Sequence, residues 1–287
     1  MNYEKFSQIL NKHIIEGEKK EILRKLANNP ERFVGLFRPT RAKAKILQHL
    51  LQSHEIKMGE ALEEIIEEIL RELGFHILPK NLQNKKEKLF LDQYFTDGEN
   101  YYFIEQKVRD DHDSSKKRGQ FSNFKTKVEI LYKKHKSNLI GIMYFIDPTL
   151  YKNRNYYIKE IEKLREIYKV KLYLFYGKEL FEYFKCSEIW DNILRWLKTW
   201  KENLPELPEI NFDKKPRNSF EEIKDLDLKT WKKLLSNRML LEEGIINTLF
   251  PTGETLKILI SFFESKEEKA YKELVKVLKN YLKILKL

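Results

Sequence analysis

The chain has 287 residues, enough for one large or two unequal domains, and its 41% hydrophobic content with 18 Phe, 15 Tyr and 4 Trp excludes intrinsic disorder. A formal charge of +11 favours a polyanionic partner, because Lys and Arg laid against phosphates release condensed counterions. One cysteine, Cys186, excludes an intramolecular disulfide and a cysteine-built metal site; without a long apolar run or an apolar core in the leading MNYEKFSQIL, the expected setting is cytoplasmic, with no membrane contact.

Residues 1–56 read as an N-terminal helical layer, broken near Asn28-Asn29-Pro30 and near Arg38-Pro39-Thr40. A separate helix follows, in which Met58, Leu62, Ile65, Ile66, Ile69 and Leu73 form one apolar stripe and Gly74 supplies the C-terminal stop. Strand signals then cover 75–78, 88–95 and 101–108, and Thr96-Asp97-Gly98 between the last two predicts an antiparallel hairpin. After a polar loop the spacing predicts a helix over 119–135, then a wholly apolar run, 139–146, suited to a central strand buried on both faces. A helix over 154–168 and a buried strand over 170–176 complete the order α-β-β-β-α-β-α-β from residue 57, an α/β mixed sheet flanked by helices. Residues 181–200 read as helix, 204–218 as a linker marked by Pro205, Pro208 and Pro216, and 219–287 as a C-terminal helical region, so the core is expected over 57–203.

Chemistry concentrates in the predicted hairpin. Asp92 lies on one strand and Glu105 and Lys107, two apart, project from one face of the other. Two carboxylates and a backbone carbonyl, that of Gln106, make a hard oxygen site of the kind Mg²⁺ accepts. A lysine beside them can polarise water or stabilise charge growing on a phosphorane. Glu105 and Lys107 interrupt the apolar Tyr101-Tyr102-Phe103-Ile104, where unpaired charge is costly.

Asp92, a gap of 12 residues, then Glu105-Gln106-Lys107, behind a Glu-rich helix and ahead of a helix and an apolar strand, resembles the PD-(D/E)XK nuclease superfamily over residues 57–177, with Leu91 in place of the proline. The resemblance implies a restriction-endonuclease-like fold, metal ligation by Asp92 and Glu105, and catalysis by Lys107. Gly59-Glu60-Ala61-Leu62-Glu63, ending in Gly74-Phe75, is similar to the helix that supplies an extra acidic ligand in archaeal Holliday-junction resolvases, which points to Glu63 ahead of Glu60.

The segment after Lys107 carries Arg109, Asp111, His112, Asp113, Lys116, Lys117, Arg118 and Gln120, and resembles the base-reading loops of type II restriction endonucleases of the Glu-x-Lys variant. Carboxylates there can accept from cytosine and the cations can meet guanine or phosphate. Asn123, Lys125 and Lys127 fall in the first turns of the next helix, whose amides suit a phosphate. The spacing Gln120 to Phe124 resembles a Gln-x-x-x-Tyr element of the superfamily.

The expected protein is therefore a type II restriction endonuclease. It acts as a homodimer on a short palindromic site in double-stranded DNA, with Mg²⁺ or substituting Mn²⁺, alongside a cognate DNA methyltransferase encoded nearby. A structure-selective nuclease of junction-resolvase or repair type and a non-catalytic DNA-binding module are the alternatives.

Overall fold

The long helix at the front of the chain does not break where the sequence suggests a new helix near residue 57. A computed structural model describes residues 1–35, 37, 39–83 and 88–284; the expected break at Arg38 and residues 285–287 of the expected C-terminal helical region lie outside them. In chain order the elements are α1 (Tyr3–Ile14), α2 (Glu18–Asn28), α3 (Ala42–Glu72), β1 (His76–Ile77), β2 (Asn81–Gln83), β3 (Lys88–Phe90), β4 (Gln93–Thr96), β5 (Tyr101–Lys107), α4 (Ser114–His135), β6 (Leu139–Phe145), α5 (Arg154–Tyr168), β7 (Lys171–Tyr176), α6 (Glu179–Tyr183), α7 (Ser187–Glu202), α8 (Pro216–Ile223), α9 (Leu228–Ser236), α10 (Arg238–Glu242), α11 (Ile245–Leu249), α12 (Glu254–Glu264) and α13 (Lys269–Ile284). Helix α3 is continuous because nothing between Glu55 and Gly59 breaks it: that stretch holds no proline, and Gly59 is not among the glycines with positive φ. Its end is as expected, with Gly74 at φ 89 and the amide of Phe75 returning to the Leu70 carbonyl at 3.1 Å.

Contacts group Met1–Leu10 with Met58–Asn203, and Asn11–Lys57 with the residues from Leu204 on. The first unit holds a five-stranded mixed sheet of order β1-β4-β5-β6-β7. β4 pairs antiparallel with β1 and β5, whereas β5, β6 and β7 run parallel. This is the expected mixed sheet flanked by helices. One face, carrying Tyr94, Phe103, Met143, Phe145 and Leu172, is covered by Phe124, Val128 and Leu131 of α4 and Ile161 and Leu164 of α5. On the other, Phe95 and Tyr102 meet Phe75 and Phe184, and Gln93 donates to the Glu63 carbonyl of α3 at 2.7 Å.

Three boundaries differ from the sequence reading. The strand expected over 88–95 is split, and β3 leaves the main sheet to pair with β2 as a separate ribbon. Helix α4 starts at Ser114 rather than near residue 119, because the Asp113 carboxylate accepts from the amides of Ser115 and Lys116, both at 2.9 Å. The helix expected over 181–200 is two, α6 and α7, separated where Lys185 takes φ 59.

The second unit is all helical in its core, where Leu23, Leu26 and Ile46 are buried with Trp231, Phe250, Leu259 and Phe263. The stretch 204–218, whose prolines suggest a linker, contributes Ile210 and Phe212 to this core. Its Asp213 accepts from the amides of Thr252, Gly253 and Thr255 at 2.9, 2.7 and 2.8 Å, so these residues are held in place.

β6 has one position with no space to spare. A Cβ added to Gly141 would stand 2.6 Å from Phe103 Cε1 and 2.8 Å from Leu172 Cδ2. Gly141→Ala is expected to destabilise the sheet by about 1–3 kcal/mol through overpacking, read as a Tm several degrees below that of the parent chain.

Candidate active site

Asp92 stands one residue before β4, not within a strand as the hairpin reading expects. Pairing between β4 and β5 stops at Gln93 opposite Ile104. The chain bends there because Leu91 is buried and sends its amide to the Lys80 carbonyl at 3.0 Å. Released from the ladder, Asp92 turns its own carboxylate onto β5, where Oδ2 accepts from the Gln106 amide at 2.7 Å.

Glu105 and Lys107 flank Gln106 on β5 and share the face that α4 covers, as alternation along a strand requires. The Lys107 ammonium lies 3.1 Å from Asp92 Oδ2 and 2.8 Å from Glu105 Oε1, and donates to the Gln106 carbonyl at 2.7 Å. Asp92 and Glu105 therefore reach a common point on the same side of the sheet. Burial by itself lowers the Lys107 pKa, but the Glu105 and Asp92 carboxylates outweigh it and leave the group raised. The Gln106 side chain belongs to the opposite face, where its amide nitrogen and oxygen are buried without a hydrogen-bond partner.

Helix α4 brings a group that the sequence reading only places in the first turns of a helix whose amides suit a phosphate. Lys127, 2% exposed, is ion-paired to Glu105 Oε2, with Asp92 Oδ1 at 3.9 Å. Asn123, one turn earlier, donates to Glu105 Oε1 at 3.3 Å. Three- and four-residue spacing puts Gln120, Asn123 and Lys127 on one face of the helix. The available signal is the same as for Glu105: a charge within an apolar stripe, here Phe121, Phe124, Val128 and Leu131. The Gln120 side chain is engaged elsewhere, accepting from the Tyr157 hydroxyl at 2.9 Å.

Glu63 lies on α3 and is half-buried, whereas Glu60 is exposed. Burial, reinforced by the Asp92 charge and opposed by Lys107 and Lys80, pushes the Glu63 carboxyl up to about 7. Of the two glutamates weighed from the sequence, Glu63 is the one within the field of the Asp92 and Lys107 pair.

The segment expected to form a base-reading loop over 109–120 is loop only as far as Asp113, and Lys116, Lys117, Arg118 and Gln120 belong to α4. Asp110 is fully buried and accepts from the Asn153 amide at 2.9 Å, its side chain at 2.8 Å and the Tyr176 hydroxyl at 2.9 Å. It thereby ties the end of β5 to the loop after β6. Asp113 serves as the α4 cap. Arg109, Asp111, Lys116, Arg118 and Lys125 are exposed, and Lys117 lies over the Tyr156 ring at 4.9 Å. His112 is half-buried, its pKa lowered by burial and by the neighbouring Lys116.

Among the described residues no group of three or more His, Cys, Asp and Glu side chains is placed to hold a metal ion. The donor set around Lys107 is instead two carboxylates and a backbone carbonyl, already converging on one cationic nitrogen. Hard oxygens arranged in this way fit a divalent ion that retains part of its water shell.

The raised Glu63 pKa has a consequence for stability. Its folded value, about 7, lies above the ordinary 4.5, so the folded chain binds more protons between them and loses stability as pH rises through that window. In the absence of divalent metal, Glu63→Gln is expected to raise Tm by on the order of 3 °C at pH 8. The difference should vanish near pH 4.5; an equal difference at both pH values would show that the Glu63 charge is not the cause.

A family model described as type II restriction endonuclease, HinfI, matches residues 2–89 and 76–201, together more than half of the chain. No curated protein matches the chain. The matched residues include Asp92, Glu105, Lys107, Lys127 and every strand of the sheet. The chain belongs to the HinfI family of type II restriction endonucleases, nucleases that cut DNA at specific sites.

Proposed function

We propose that this endonuclease hydrolyses both strands of double-stranded DNA with Mg²⁺, or Mn²⁺ in its place, held by Asp92, Glu105 and the Gln106 carbonyl with Glu63 alongside. The observation that carries the reading is the convergence of three oxygens on one cation, at 3.1, 2.8 and 2.7 Å. A divalent ion bound there supplies electrophilic charge against the scissile phosphate. Lys107 contributes from the chain itself. Its raised pKa keeps it protonated at neutral pH, so it serves as a hydrogen-bond donor and positive charge toward water and phosphate oxygens rather than as a base.

DNA contacts fall to Arg109, Asp111, His112, Lys116, Lys117 and Arg118, around the end of β5 and the start of α4, and to Lys125 further along that helix. The cations meet phosphates and guanine edges, and Asp111 can accept from a cytosine amine. Asn123, Gln120 and Asp113 are committed to Glu105, Tyr157 and the α4 cap. A homodimer presents two such sites to the two strands of a palindrome. A cognate methyltransferase encoded nearby protects the host sequence, and the setting is cytoplasmic. Among the described residues no helix is long and apolar enough to cross a membrane.

With Mg²⁺, digestion of a mixed-sequence plasmid should give discrete bands, and chelation by EDTA should abolish them. Lys107→Ala is expected to reduce cleavage by about 10²–10³-fold while leaving DNA affinity within a few-fold of the parent, measured by gel shift without metal. Full cleavage by Lys107→Ala would remove Lys107 from the chemistry. Uniform degradation, or nicking confined to branched substrates, would overturn sequence-specific cutting.

A further inference from the structure

Glu105 has no free oxygen. Lys107 lies 2.8 Å from Oε1, Asn123 donates to the same atom at 3.3 Å, and Lys127 holds Oε2. The two ammonium groups differ in how easily they can leave. The Lys107 side chain is 29% exposed at the end of β5, whereas that of Lys127 is 3% exposed on α4 between the buried Phe124 and Leu131. Moving Lys107 aside returns it to water; moving Lys127 aside would strand a buried charge and leave Glu105 Oε2 without its partner. A cation arriving at the Gln106 carbonyl can therefore replace Lys107 but has to coexist with Lys127. The charges of Asp92, Glu105, Lys107 and Lys127 sum to zero, so the resident ammonium groups already offset the attraction that two carboxylates would exert on a divalent ion.

We propose that Lys127 is a positioning residue: a permanent counter-ion that clamps Glu105 by Oε2, presents Oε1 alone to a divalent metal, and holds down the affinity of the site for that metal. This rests on the metal reading given above. Lys127 touches neither substrate nor metal; it acts through Glu105. Removing its charge while preserving its stem should leave Asp92 and Glu105 with one competing cation instead of two.

The test is isothermal titration of the DNA-free protein with Mn²⁺ at pH 7.5, comparing the parent chain with Lys127→Met, Lys127→Arg and Asp92→Asn. Lys127→Met is expected to bind Mn²⁺ at least ten-fold more tightly than the parent, Lys127→Arg to behave like the parent, and Asp92→Asn to lose binding. If Lys127→Met lacks the parent circular-dichroism spectrum, Lys127→Gln, which can still donate to Oε2, takes its place with the same expectation. An unchanged or weaker Mn²⁺ affinity in a folded, uncharged variant overturns the role of Lys127 and leaves the metal reading standing. Mn²⁺ binding that survives Asp92→Asn overturns the metal reading itself, and the role of Lys127 with it.

Discussion

Glu105 carries a negative charge to a place that water scarcely reaches, and the elements around it are arranged to balance that charge. Its carboxylate is 1% exposed at the end of a strand whose preceding residues are aromatic and aliphatic. An isolated ion there would cost several kcal/mol. Lys107 from the same strand and Lys127 from α4 both answer it, and Asn123 takes up a remaining lone pair. The site and the packing of α4 against the sheet are thus one arrangement: the helix that covers the apolar face also delivers a charge that pairs with Glu105.

The same economy governs how the backbone reaches the site. β5 is the strand at which antiparallel pairing with β4 gives way to parallel pairing with β6, so its C-terminal end lies beside the loops that follow the parallel strands. Asp110 is spent on binding one of those loops, through Asn153, to the strand end, and Asp113 on starting α4. An acidic run that looks like one functional motif therefore divides its labour: two of its carboxylates shape the backbone, and Asp111 remains at the surface. That cap begins α4 at Ser114, seven residues before the first of its buried apolar positions, Phe121.

Alternation along 101–107 and the helical stripe from Met58 were sufficient to anticipate the mixed sheet, its central apolar strand and the grouping of Asp92, Glu105 and Lys107. These features depend on local periodicity, on a turn whose Asp97 accepts from the amides of Glu99 and Asn100 at 2.9 and 2.7 Å, and on how costly a charge is inside an apolar run. The stretch of chain that carries that pattern lies within the residues that the family model matches.

Only the tertiary structure decided that Asp92 leaves the ladder, because the bend depends on burying Leu91 and on a hydrogen bond from its amide to the carbonyl of Lys80, a residue with no patterned relation to it. It alone decided that Lys127 belongs with Glu105, two residues 22 apart whose contact is made by packing α4 onto the sheet. It also brought residues 204–218 into a core with the helices of 11–57, a pairing across most of the chain that no local spacing encodes. Periodicity states which face of an element is apolar; which other element covers that face, and which charge arrives with it, is settled when both are folded together.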